Sequence, residues 1–163
     1  MSDLAAAAEQ ALLACRQKGV ALAVAESCTS GLVMAALGAV PGASDVLLGG
    51  VVAYANPVKT SLLEVPAGTL DAHGAVSRET ARAMASGARR RFAAGLAVSV
   101  TGIAGPGGGS AEKPPGTVWL GWSTPEDEDA VLWRFSGGRQ AVREAAALEA
   151  LGIIRRAALQ MPA

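Results

Sequence analysis

Three short apolar runs, each closed by a loop of small or polar residues, constrain this chain more than any other feature. VALAVAE (20–26), LLGGVVAYAN (47–56) and LAVSV (96–100) have the length of strands. The first and third read as strands buried on both faces, the pattern of parallel sheets covered by helices. Helical spacing separates them. Alanines and leucines recur at that spacing from Asp3 to Lys18, with Gly19 as the stop, and again over 31–38. A further short helix over 57–65 carries Pro57 in its first turn, and Ser77 opens another that runs to about Phe92. GTVWLGW (116–122) and AVLWRFS (130–136) read as a hairpin around the acidic turn TPEDED, and 137–160 is a long helix. The Gly49-Gly50 pair inside the second run predicts a bulge or a close backbone approach. Strands that alternate first with helices and then with each other predict an α/β fold: one domain over 1–163, a three-layer α/β/α sandwich with a mixed sheet.

Composition narrows the partners. The hydrophobic share is 51%, chiefly alanine, valine and leucine, which suits tight packing of helices on a sheet. Formal net charge is zero, so a basic track along a nucleic-acid backbone is not expected. Apolar stretches break off well short of the ~18 residues of a membrane span, and the N-terminus has no basic, apolar signal-peptide pattern. A cytoplasmic protein with no membrane partner is the expectation. Cys15 and Cys28 form no CxxC pair and His73 is the single histidine, which argues against a zinc site or a disulfide framework. No metal and no cofactor are expected. Apolar valine and leucine content leaves room for a dimer interface, and a homo-oligomer is expected.

Chemistry concentrates in the loops behind the strands. Glu26-Ser27-Cys28-Thr29-Ser30-Gly31, Asn56-Pro57-Val58-Lys59 and Thr101 to Gly109 would converge at the carboxyl ends of a parallel sheet, where ligands gather. Gly102 and Gly105 would let backbone approach an anion, yet TGIAGPGGG lacks the Gly-Lys-Ser/Thr of a P-loop and fits no dinucleotide fingerprint. One histidine leaves little for a Ser–His–Asp triad. A neutral lysine is the other activator of serine, and Lys59 lies in a nearly charge-free stretch whose burial would favour its neutral form. Tyr54 lies five residues earlier, and Ser27 and Ser44 are the serines best placed in loops.

AESCTSG (25–31), VPGAS (40–44), GGVVAYANPVK (49–59), HGAVS (73–77), TGIAGPGGGS…KPPGTVW (101–119) and GGRQAVR (137–143) together resemble the CinA C-terminal domain family over nearly the whole chain. Stand-alone members of that family are nicotinamide-nucleotide amidohydrolases, and the chain resembles the stand-alone form. The resemblance implies hydrolysis of the carboxamide of nicotinamide mononucleotide to nicotinic acid mononucleotide and ammonia, by a serine/lysine mechanism. It implies Ser44 as nucleophile, with Ser27 as the alternative, Lys59 as base, and Tyr54 shaping the pocket and helping the proton move. Ser27, Thr29, Asn56, Thr101, Gly102, Gly105 and Arg139 would hold the nucleotide, with Arg139 on its phosphate. The contrasting expectation, from a different class, is a non-catalytic nucleotide-binding or competence-associated interaction module.

Overall fold

Five strands form one sheet in the computed structural model, which describes residues 2–162. They are β1 (Leu22–Glu26), β2 (Leu47–Val52), β3 (Leu96–Gly102), β4 (Thr117–Ser123) and β5 (Glu128–Arg134), in the order β2-β1-β3-β4-β5. β2, β1 and β3 run parallel; β4 is antiparallel to β3, and β5 to β4. The sheet is therefore mixed, as the strand pattern predicts. Every residue of β1 is buried, and all of β3 but its last, which is why those runs carry no alternation.

Helices cover both faces. α1 (Ser2–Lys18), α2 (Leu32–Gly38) and α6 (Arg139–Gln160) pack on one side, where Leu12, Leu37, Leu151 and Ile154 meet Leu22, Val24, Val98 and Leu120 of the sheet. α3 (Asn56–Leu63), α4 (Ala67–His73) and α5 (Arg78–Phe92) cover the other, where Leu63, Met84 and Ala88 meet Ala23, Ala25 and Ala97. The alanines on that side of β1 and β3 let the second layer come close. Gly87 of α5 takes this furthest: a Cβ there would lie 1.8 Å from Leu63 O, so the end of α3 rests directly on the α5 backbone.

One expectation needs correction, and one segment for which the sequence offered no element holds one. The second apolar run is a strand only to Val52, because Ala53 N donates to Glu26 O and the chain then turns into α3 at Asn56. The segment between α3 and α5 holds α4, a seven-residue helix with no buried residue and hence no apolar period to read. The Gly49-Gly50 pair behaves as its sequence predicts. The β1–β2 register shifts between Leu22 and Ala23, and a Cβ on Gly50 would lie 2.8 Å from Val24 O. Among the described residues, no helix is long and apolar enough to cross a membrane.

Candidate active site

The order β2-β1-β3 puts the chain's reversal at β1, so the loops behind β1 and β3 leave the sheet beside one another. Ser27 follows directly on β1, and its N–H donates to Val100 O of β3 at 2.9 Å. Its side chain meets Lys59 there. Lys59 Nζ donates to Ser27 Oγ at 3.1 Å and to Tyr54 O at 2.8 Å. Lys59 is 1% exposed, and both partners are neutral. Burial accordingly pulls the Lys59 ammonium below its ordinary lysine range, and no carboxylate opposes that shift. A lowered lysine bonded to a hydroxyl is the arrangement that a general base and a nucleophile require.

Ser44 lies elsewhere. It sits exposed in a short 3-10 turn, Ala43–Asp45, at the entrance to β2, and Leu47 pairs with Leu22 at the start of β1. Lys59 lies past the exit of β2, where Val52 pairs with Glu26. The intervening strand spans roughly 15 Å at ~3.3 Å per residue. Arg16 of α1 fastens the Ser44 turn to that far end, donating to Gly42 O at 2.6 Å and pairing with Asp45 at 3.3 Å. The expected pairing of Ser44 with Lys59 is corrected to Ser27 with Lys59.

Other candidate residues divide by what they touch. Tyr54 offers Lys59 its backbone carbonyl, while its exposed phenol accepts from Arg139 Nη2 at 2.9 Å. Arg139 Nη1 donates to Gly105 O at 2.8 Å, so this arginine ties the glycine loop to Tyr54 across the mouth of the site. Thr101 is buried at the end of β3 and spends its hydroxyl proton on Ala75 O at 2.7 Å. Thr29 is fully buried, and its Oγ1 has no hydrogen-bond partner among the described residues. Asn56 opens α3 and is exposed. Gly102 has a packing reason of its own: a Cβ would lie 2.6 Å from Val118 Cγ2 and 2.9 Å from Thr117 O. Gly105 has φ +84°, a left-handed conformation that suits glycine. His73 is exposed, 3.7 Å from Glu79, and makes no contact with Ser27 or Lys59. Cys15 and Cys28 are both free and buried, and burial pushes each thiol up to about 11.

Two residues to which sequence reasoning gave no role hold the backbone around Ser27. Glu26 is completely buried and accepts from Val33 N at 2.9 Å and Met34 N at 3.1 Å, fastening the end of β1 to the first turn of α2. Arg143 donates to Cys28 O and to Thr29 O, each at 3.1 Å. Its spacing of four from Arg139 puts both arginines on one face of α6, and that repeat was the available signal.

Comparison with known proteins agrees with this architecture. The family model described as CinA C-terminal domain matches residues 4–158. The chain is 51% identical over 143 residues to a CinA-like protein of Gemmatimonas aurantiaca, covering 88% of this chain and 33% of that one. It is 54% identical over 140 residues to a CinA-like protein of Anaeromyxobacter sp., covering 86% and 34%. The chain thus spans about a third of the length of these curated relatives. Among solved structures, it is similar to the competence/damage inducible protein CihA from Agrobacterium tumefaciens, with TM-score 0.92 and 41% identity over 97% of this chain and 96% of that one. It is also similar to the competence damage-inducible protein A from Klebsiella pneumoniae subsp. pneumoniae, with TM-score 0.93 and 31% identity over 98% and 99%.

Proposed function

The chain belongs to the CinA C-terminal domain family, and from that premise we propose that it hydrolyses the carboxamide of nicotinamide mononucleotide, with Ser27 as nucleophile and Lys59 as base. The observation that carries this reading is the 3.1 Å contact between Ser27 Oγ and a lysine that is buried without a counter-ion. Neither a binding module nor a structural role requires a cation in that position, and its burial costs stability. When Lys59 is neutral, the same separation lets the Ser27 hydroxyl donate to the Nζ lone pair.

The chemistry follows from those two groups. Lys59 Nζ takes the Ser27 proton as Oγ bonds to the amide carbon, whose pyridinium ring withdraws electrons and makes it a better electrophile. The negative charge moves to the carbonyl oxygen. The Thr29 N–H, in the turn directly behind Ser27, makes no hydrogen bond among the described residues and is a backbone donor open to it. One well-aimed donor of that kind contributes roughly 3–4 kcal/mol in acyl transfer. The C–N bond then breaks, the lysine returns its proton to the nitrogen, and ammonia leaves. Water, deprotonated by Lys59 in turn, attacks the acyl carbon, releases nicotinic acid mononucleotide and restores the Ser27 hydroxyl. Arg139, at the mouth and already bound to neutral acceptors only, would exchange the Tyr54 hydroxyl or Gly105 carbonyl for a phosphate oxygen.

The test is ammonia release from nicotinamide mononucleotide by the purified chain. Release that stops in Ser27→Ala and in Lys59→Ala supports the reading. Nucleotide binding without release would make the same pocket a sensing module.

A further inference from the structure

Four residues beyond Arg139, all three nitrogens of the Arg143 guanidinium donate to the protein. Nε and Nη2 form a fork on two successive carbonyls, Cys28 O and Thr29 O, and Nη1 donates to Gln140 Oε1 at 2.6 Å. The gripped segment is the turn that follows Ser27, and it needs holding. Ser30 and Gly31 are consecutive left-handed residues, with φ 51° and 97°, and for serine that conformation costs on the order of 1–2 kcal/mol. Thr29 O also accepts from Leu32 N at 3.0 Å, but Arg143 is the one hydrogen-bond partner of the buried Cys28 carbonyl among the described residues. A trans peptide sets C=O and N–H antiparallel, so the grip on Cys28 O also fixes the direction of Thr29 N–H. At the two ends of the turn, Ser27 is held by Val100 and the start of α2 by Glu26; Arg143 holds the middle.

Resting on the Ser27–Lys59 reading, we infer that Arg143 is a positioning residue: through the Cys28 and Thr29 carbonyls it keeps the nucleophile turn in register with Lys59, without touching the substrate. It divides the face of α6 with Arg139, one arginine serving the ligand end and the other the nucleophile. A lysine at 143 would supply one point donor where a planar fork is used, and would replace it only in part.

The experiment follows modification of Ser27 by a small sulfonyl fluoride, located by mass spectrometry, in the parent, Arg143→Met and Arg143→Lys. In that reaction the Ser27 Oγ–S bond forms, the S–F bond breaks, fluoride leaves with its electron pair, and Lys59 takes the proton. Arg143→Met should slow modification at least about tenfold, since a displacement near 1 Å can cost about a hundredfold. Arg143→Lys should recover part of the loss. With nicotinamide mononucleotide, kcat should fall by a similar factor while KM changes less than about twofold. Arg143→Met reacting within about twofold of the parent would overturn the inference, and so would a raised KM with kcat intact. If Arg143→Met does not fold, Arg143→Lys decides: a rate equal to the parent's overturns the inference, and an intermediate one supports it. A parent whose Ser27 is inert overturns the inference together with its premise. A parent that reacts at Ser27 yet releases no ammonia removes the substrate while the inference stands on the modification rates.

Discussion

Ser27 and Lys59 are 32 positions apart in the chain and in hydrogen-bond contact, whereas Ser44 is nearer in sequence and a strand's length away. Strand direction decides this: a residue before β2 and one after it face opposite ends of the sheet. The loop chemistry and the unusual lysine were legible in the sequence. The choice between two serines was not, because it depends on the β1–β2 register. The geometry predicts that Ser27→Ala and Lys59→Ala each lower kcat by at least about a hundredfold, the scale of a lost nucleophile or general base. Ser44→Ala should remain within about threefold of the parent, checked by the same ammonia assay. In the proposed mechanism neutral Lys59 is the active form, and burial lowers its pKa. Activity should therefore rise with pH through a single ionisation below the ordinary lysine value and then level off. A rate that falls as the medium becomes alkaline through that range would contradict the assignment.

At the scale of elements, the glycines of the TGIAGPGGG…PPG region answer first to the protein's own packing. A Cβ on Gly116 would lie 2.0 Å from Phe135 O, and one on Gly109 would lie 2.4 Å from Pro115 Cδ. The sequence showed that backbone must come close to something here; it did not show that much of that something is the neighbouring strand and loop. Arg139 joins this loop to Tyr54, a connection over 85 positions that no local pattern encodes. The α3–α5 contact yields a sharper prediction. Gly87→Ala forces the Leu63 carbonyl off the α5 backbone and should cost about 2 kcal/mol or more, within or above the usual range for overpacking. Urea unfolding would read this as a lower midpoint at unchanged slope. α4, which buries nothing, should tolerate substitution at Asp71 within about 0.5 kcal/mol.

Across the whole molecule, one buried cation links stability to the site. Lys59 binds its proton less readily folded than unfolded, so the unfolded chain holds more protons over the range between the lowered pKa and the ordinary one. Stability should therefore rise with pH through that window and flatten below it. Lys59→Met removes this contribution. The two buried thiols, raised to about 11, lower stability above about pH 8.5 in both proteins alike. The difference between parent and variant in chemical denaturation from neutral pH to about pH 10 therefore shows the Lys59 slope. The core around Leu151, fully buried between α6 and the sheet, carries the fold independently of the site: Leu151→Ala should cost about 2–5 kcal/mol and leave the Ser27–Lys59 contact in place. The central claim is that Ser27 carries the acyl group. Mass spectrometry of the chain quenched during turnover of nicotinamide mononucleotide tests it most directly. The account predicts a nicotinoyl-nucleotide adduct on the peptide containing Ser27, absent in Ser27→Ala. An adduct on the Ser44 peptide, or undiminished ammonia release by Ser27→Ala, would contradict it.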